Sequence, residues 1–157
     1  MTSMKRRIFL KGSLATGAIG MAVSAGLITP RMVLAAWPKA AFDAKSVDEA
    51  VSNLFGSSTL ASSDKIKIKA PDIAENGAVV PISIEAGMEG VESISIIADK
   101  NATPLTSSFV LGKGTEAFVA TRIKMGKTGN VIAVVKADGK LYSASKEVKV
   151  TIGGCGG

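Results

Sequence analysis

Short strand-like segments separated by turn signals constrain the fold of this chain more than any other sequence feature. Residues 65–69 alternate strictly between lysine and isoleucine, a pattern typical of a half-buried or edge strand. The dipeptides Asn76-Gly77 and Asp138-Gly139 mark tight turns, and the second predicts a hairpin. Pro81 cannot donate a backbone hydrogen bond to a neighbouring strand, so it predicts an edge or bulge position. The predicted strands are 65–69, 79–86, 91–98, 115–125, 131–136, 141–145 and 146–152.

The spacing of these segments predicts the fold class. Roughly seven short strands, with turns at intervals of about ten residues, are typical of a β-sandwich. We therefore predict a mainly β protein, an immunoglobulin-like antiparallel β-sandwich with one N-terminal α-helix and a flexible C-terminal arm. The apolar strand 91–98 further predicts that the sheet exposes a surface for a protein partner.

The predicted helix lies ahead of the strands, between residues 42 and 55. The apolar residues that recur there at helical spacing are Val47, Ala50, Val51 and Leu54. Ser46 and Glu49 have the spacing of a capping box, which predicts that the helix begins at Ser46. Its polar face lacks a basic cluster, which favours a helix packed on the core over one that binds a membrane or a partner.

Residues 1–35 have the pattern of an export signal. A basic start precedes the apolar run 12–28, and Val33-Leu34-Ala35 supplies the small residues of a cleavage site, with cleavage expected after Ala35 or Ala36. The paired Arg6 and Arg7, followed by Ile-Phe-Leu-Lys, resemble the twin-arginine motif, although the usual Ser or Thr before the pair is missing. The apolar run is too short and too weakly hydrophobic for a stable membrane insertion. We therefore predict export to the periplasm in a folded state.

Charge and composition exclude several function classes. The chain carries 19 basic and 13 acidic residues, a net charge of +6. Five of the basic residues precede residue 36, and without them the balance is nearly neutral, which argues against a nucleic-acid partner. The sequence has no histidine, so His-based triads, Cys-His dyads and His-containing zinc sites are excluded. Its one cysteine, Cys155, cannot form an internal disulfide or a thiolate metal cage.

The candidate chemistry lies in the last five residues. Cys155 is flanked by Gly153 and Gly154 on one side and by Gly156 and Gly157 on the other. Glycines have no side chains to bury, so the thiol is expected to be exposed on a thin, flexible arm. No neighbouring group lowers the pKa of this thiol, and the terminal carboxylate disfavours the thiolate. These features predict no catalytic residue, but a tether whose sulfur is loaded and unloaded inside partner enzymes.

The export signal, the small β domain and the ending Gly-Gly-Cys-Gly-Gly together resemble the SoxY family, the sulfur-carrier subunits of the periplasmic thiosulfate-oxidising system. The resemblance implies an immunoglobulin-like sandwich that forms a heterodimer with SoxZ. It also implies that the haem enzyme SoxXA conjugates thiosulfate to Cys155 as a cysteine S-thiosulfonate, and that the hydrolase SoxB then releases sulfate. Where present, the sulfur dehydrogenase SoxCD oxidises the remaining sulfur. Haem, manganese and molybdenum belong to those partners, so no metal or cofactor is expected here beyond covalent sulfur on Cys155.

Three divisions of the chain follow: a twin-arginine signal peptide at 1–35, a helix plus β-sandwich domain at 36–152, and a carrier arm at 153–157. An alternative is an exported β-sandwich binding module whose lone cysteine only forms an intermolecular disulfide. Another is a carrier that uses its terminal carboxylate as a thiocarboxylate, but that chemistry needs cytoplasmic ATP-dependent activation, and the export signal argues against it. An adhesive module without covalent chemistry would tolerate loss of the tail.

Overall fold

The computed structural model describes residues 37–151. The chain divides between Trp37 and Pro38 into two units, and the second contains every helix and strand of the described residues. The helices are α1 (Lys39–Asp43) and α2 (Val47–Phe55). The strands are β1 (Ala61–Ser62), β2 (Ile66–Lys69), β3 (Ile73–Ala74), β4 (Val80–Ala86), β5 (Val91–Ala98), β6 (Leu105–Val110), β7 (Phe118–Ile123), β8 (Gly129–Ala137) and β9 (Lys140–Val150). No helix in this part of the chain is long and apolar enough to cross a membrane.

Two sheets form the predicted sandwich. The larger sheet has the order β1-β9-β8-β5-β6, with β3 also paired to β9, and the smaller has the order β2-β4-β7. The long strands pair antiparallel, whereas the two-residue strands β1 and β3 lie parallel to β9. Asp138 and Gly139 close the β8–β9 hairpin with φ values of 49° and 72°, as their sequence predicts for a tight turn. The expectation of an immunoglobulin-like, mainly β fold is confirmed.

The main core lies between the two sheets. Alternate residues of β4, β5 and β8 point into it, which explains the period-two pattern of their sequences. Its largest fully buried members include Ile82, Ile84, Ile94, Ile96, Val131 and Val135. Burying each such side chain stabilises the fold by about 1.5–3 kcal/mol.

The helices cover the opposite face of the larger sheet and form a second core. Ala50 and Val51 of α2 are buried there together with Ile97 of β5 and Val134 of β8. The last six residues of β5 are consequently buried on both faces of the strand. The expectation that 91–98 exposes an apolar surface to a partner is therefore wrong, because the helices already occupy that surface.

The helical region follows its prediction with one addition. The Ser46 hydroxyl accepts a hydrogen bond from the Glu49 backbone N–H at 3.2 Å, and the Glu49 carboxylate accepts one from the Lys45 N–H at 3.0 Å. Gly56, with φ 76°, ends α2. The structure adds the short helix α1 ahead of the cap, so two helices occupy the region where one was predicted.

The strands depart from prediction at several places. β6 was not predicted, since its sequence Leu-Thr-Ser-Ser-Phe-Val does not alternate, and β9 is one continuous strand where two were expected. β2 is an edge strand, as predicted. Pro81, by contrast, lies in the central strand of the smaller sheet. The pairing with β2 ends at Ser83, so Pro81 faces only β7 and interrupts no ladder between β2 and β4.

Candidate functional site

The residues singled out by the sequence lie beyond the part of the chain that the structure describes. They are Arg6 and Arg7 of the export motif and Gly153, Gly154, Cys155, Gly156 and Gly157 of the C-terminal arm. The structure does describe the place where that arm begins. This place is the end of β9, with Thr151 as its last described residue.

Backbone hydrogen bonds hold the end of β9 on one side. β3 pairs with it in parallel, with Ile73 opposite Lys149 and Ala74 opposite Val150. The Thr151 N–H donates to the Ala74 carbonyl at 3.1 Å, and the Lys149 N–H donates to the Asp72 carbonyl at 3.0 Å. The strand is therefore paired up to the last described residue.

Side-chain contacts hold the segment that pairs with β9. The Lys146 ammonium donates to the Ala70 carbonyl at 2.7 Å and lies 3.0 Å from a carboxylate oxygen of Asp72. Both partners lie within the three residues before β3. The ammonium group thus ties the approach to β3 onto β9.

The loop before β8 holds the other side of the same strand end. The Val150 N–H donates to the Thr128 hydroxyl oxygen at 2.9 Å. The Met125 N–H donates to the Gly77 carbonyl at 2.7 Å. A Cβ at Gly77 would lie 2.7 Å from Val150 Cγ1 and would clash with the Met125 carbonyl oxygen, so only glycine fits there. Packing on both sides fixes the point from which the arm departs.

Covalent geometry bounds where Cys155 can reach. Four residues beyond Thr151 span at most about 14 Å when fully extended. Chain length alone therefore limits how far Cys155 can lie from Thr151. We call the end of the sandwich at which β9 terminates the C-terminal end. The opposite end, with the Asp138-Gly139 turn, is the hairpin end.

A groove of about 820 Å³ lies at the C-terminal end. It is lined by residues of the β5–β6 loop and β6 on one side, and of β7 and the β7–β8 loop on the other. Its charged lining residues are Lys100, Arg122, Lys124 and Lys127, and no carboxylate is among the lining residues. We call this feature the basic groove. Sequence reasoning missed it, because its cations come from two separate segments that only the fold brings together.

Within residues 37–151 no group of three or more His, Cys, Asp or Glu side chains could hold a metal ion. The described residues therefore offer cationic and hydroxyl groups at the C-terminal end, but no cluster of metal-binding side chains. Chemically, such an end can bind an anion or steer one by charge.

The sequence matches the family model described as "Sulfur oxidation protein SoxY" over residues 51–155. The match covers most of the chain and ends at Cys155. The chain thus belongs to the SoxY family, and with it to the proteins of sulfur oxidation.

A solved structure agrees with this assignment. The sulfur carrier protein SoxY from Chlorobium limicola f thiosulfatophilum is 43% identical, with a TM-score of 0.61 over 68% of this chain and 97% of that chain. A chain from a structure of T cell activation by the bacterial superantigen toxic shock syndrome toxin-1 matches at 9% identity and a TM-score of 0.40. That second match covers 55% of this chain and 99% of that one, and it is too weak to carry an argument. No curated protein sequence matches.

Proposed function

We propose that this protein is a noncatalytic sulfur carrier that holds thiosulfate-derived intermediates on Cys155 and presents them to partner enzymes. The observation that carries the proposal is the family match, which extends through the whole sandwich and ends at that cysteine. The Chlorobium relative, at 43% identity, is itself described as a sulfur carrier protein. The described structure supports the role by fixing the start of the arm on both sides of β9.

Loading forms one sulfur–sulfur bond. The Cys155 thiol and thiosulfate join as cysteine S-thiosulfonate. This reaction releases one proton to the solvent and two electrons, and the haem enzyme SoxXA accepts the electrons. Hydrolysis of the terminal S–S bond by SoxB then consumes one water, releases hydrogen sulfate and leaves a persulfide on Cys155. Where SoxCD is present, it oxidises the remaining sulfane sulfur.

The chain's own contribution is to present a sulfur atom with little around it. Nothing in the tail activates the thiol, so activation falls to the partner's site. Gly153, Gly154, Gly156 and Gly157 keep the arm thin enough to enter a narrow channel. In this proposal the hydrogen-bonded end of β9 is the attachment point, and the arm carries Cys155 from one partner to the next.

Export and assembly belong to the same proposal. The twin-arginine pattern at Arg6 and Arg7 supports passage of the folded protein to the periplasm. A folded cargo can carry a bound subunit, and we propose that SoxZ travels in this way as a heterodimer partner. Haem, manganese and molybdenum chemistry is supplied by SoxXA, SoxB and SoxCD.

Intact mass spectrometry tests the proposal. The chain is purified from the periplasm of cells grown on thiosulfate and measured before and after treatment with a reductant. The expected result is loss of the first 35 or 36 residues, together with reductant-sensitive additions of sulfur, sulfonate or thiosulfonate mapped to Cys155. A chain that stays unmodified or forms only a Cys155-linked dimer under all growth conditions would replace the carrier with a disulfide-linked binding module.

A further inference from the structure

Among residues 37–151, the cations of the basic groove have no carboxylate partner. Lys100, Arg122, Lys124 and Lys127 form no ion pair with a described carboxylate. The nearest carboxylate along the chain, Asp99, accepts hydrogen bonds from the Asn130 N–H at 2.8 Å and the Asn130 side-chain amide at 3.1 Å. Four cations therefore share one groove with their charges available to a ligand.

Hydrogen bonds hold the two sides of the groove together. The Asn101 side-chain amide donates to the Lys124 carbonyl at 2.7 Å, and its oxygen accepts from the Gly126 N–H at 3.0 Å. A Cβ at Gly129 would lie 2.6 Å from Lys100 Cγ, so glycine lets the Lys100 stem pack closely against the backbone. The backbone segments that carry the cations of the β5–β6 loop and the β7–β8 loop are thus joined to each other without a ligand.

A hydroxyl in the groove wall also lacks a partner. Ser107 lines the groove, and its hydroxyl oxygen is buried without a hydrogen bond to any described residue. The neighbouring Thr106 hydroxyl, in contrast, donates to the Ile96 carbonyl at 2.8 Å. An unsatisfied buried hydroxyl is unfavourable, and a polar ligand that hydrogen-bonds to it would remove this cost.

The groove lies within reach of the arm. Lys127 adjoins Thr128, whose hydroxyl is bonded to the Val150 N–H, so the Lys127 and Val150 Cα atoms are within about 11 Å of each other. The chain from Thr151 to Cys155 spans up to about 14 Å, and the side chains of Lys127 and Cys155 extend this reach further. A short tether gives its cargo an effective concentration in the millimolar range, so even weak binding would be occupied.

From these observations we propose that the basic groove is a binding site for a sulfur oxyanion, namely the terminal sulfonate of the group carried on Cys155. The part concerning the carried group rests on the proposed carrier function. Arginine and lysine donate charge-assisted hydrogen bonds to such oxygens, and Ser107 supplies a neutral donor. The loaded arm is then held on the sandwich between partners by its sulfonate, whereas the unloaded arm carries only the terminal carboxylate two residues beyond Cys155.

The first experimental arm tests free anions on the full mature chain carrying Cys155→Ser. Thiosulfate is titrated in while backbone amide shifts are followed by NMR. Shifts are expected at residues 100–107 and 121–127, and Lys124→Gln/Lys127→Gln should raise the dissociation constant roughly tenfold or more. Lys65→Gln/Lys67→Gln, which removes the same charge from the edge of the smaller sheet, should leave it within about twofold.

The second arm tests the carried group on the chain with its cysteine. Tetrathionate converts the Cys155 thiolate to S-thiosulfonate and releases thiosulfate as the leaving group, with no other oxidant. After the released thiosulfate and excess tetrathionate are removed by desalting, the loaded chain should show shifted groove amides, and these shifts should disappear in Lys124→Gln/Lys127→Gln but persist in Lys65→Gln/Lys67→Gln. Increasing the salt concentration should weaken them, because the groove is open to solvent.

The outcomes separate this inference from the carrier proposal. If Cys155 loads and turns over normally while the groove amides do not respond in either arm, the groove inference fails and the carrier stands. If free thiosulfate binds but the carried group does not, the groove is a site for free anions only, which overturns the tethered assignment. If neither anion binds but the charge variants slow turnover with SoxXA or SoxB, the cations dock a partner protein instead.

Discussion

The two ends of the sandwich have clefts of similar size but different charge. The hairpin end has a cleft of about 830 Å³ lined by residues of 86–92 and 110–117, with Glu89, Glu92 and Lys113 among them. The basic groove at the C-terminal end measures about 820 Å³ and has only cations among its charged lining residues. Cavity size therefore does not distinguish the ends, whereas the attachment of the arm and the sign of the charge do.

The charges at the two ends also have different partners. At the hairpin end, the Glu92 carboxylate lies 2.6 Å from the Lys136 ammonium and accepts the Gly139 N–H at 3.0 Å. This carboxylate thus stabilises the β8–β9 turn through these two contacts. The cations of the basic groove have no such internal partner among the described residues. The comparison indicates that the charges lining the two clefts differ: Glu92 is paired within the protein, whereas the groove cations are available to a ligand. The C-terminal end also uses charge for folding, at the Lys146–Asp72 ion pair, which lies outside the groove lining.

Moving the thiol between the ends tests this comparison most severely. Cys155→Ser is expected to abolish thiosulfate-dependent respiration, because no other cysteine exists to carry sulfur. Adding Lys140→Cys places a thiol next to the hairpin turn, and we expect no recovery, because that thiol lacks the arm and the adjacent groove. Oxygen uptake with thiosulfate measures both variants, and an unchanged denaturation midpoint shows that they fold. Recovery by Lys140→Cys would mean that the position of the thiol is unimportant.

Glycine substitutions at the two ends compare their packing. Gly77→Ala inserts a Cβ against Val150 and the Met125 carbonyl, and should lower the free energy of unfolding by about 1–3 kcal/mol. Gly87→Ala at the hairpin end has its nearest neighbour at 3.6 Å, and should change it by no more than about 0.5 kcal/mol. Urea denaturation measures both. Equal effects would show that the end of β9 adapts as easily as the hairpin end.

Bulk within the arm should affect loading without affecting the fold. Gly156→Val widens the tail beside Cys155, so loading by SoxXA is expected to slow by roughly tenfold, as a misplaced reacting group does. The free energy of unfolding should stay the same, because the substitution lies beyond the last strand. Single-turnover loading monitored by mass is the measurement. A normal rate would remove the argument that the arm must be thin.

The sequence predicted elements whose signals are local. Asp138-Gly139 favours a turn with positive φ, and Ser46 with Glu49 favours the start of a helix. The hairpin turn and the helix start were therefore predicted correctly. β6 was not predicted, because an edge strand needs no regular apolar face. Part of its contact with β5 is polar instead, since the Ser95 and Ser108 hydroxyl oxygens lie 2.8 Å apart.

Features created by packing between distant segments were not predictable in this way. Alternation in 91–98 shows which residues are apolar, but not that α2 covers the second face. Likewise, Lys100 and Lys124 appear as ordinary surface lysines until Asn101 joins their loops. For the arm, the sequence itself supplied the candidate residues, and the fold adds the end of the sandwich from which they extend.

The smallest expected effect is on the pH dependence of stability, and it comes from the Glu92 carboxylate at the hairpin end. The hydrogen bond and ion pair with Lys136, together with the Gly139 N–H, lower the pKa of Glu92 below its ordinary value of 4.5. A carboxylate whose pKa is lowered in the folded state stabilises the fold at pH values above its unfolded-state pKa, and this contribution is lost as pH falls through the folded-state pKa.

Glu92→Gln should therefore be less stable than the parent near neutral pH and equal to it in strong acid. The same substitution in a Lys136→Gln background should show a smaller pH-dependent difference, because the principal cause of the lowered pKa is gone. Thermal unfolding across this pH range measures the difference. A gap that stays constant with pH would assign the role of Glu92 to packing, and the contrast between the two ends would then rest on the basic groove alone.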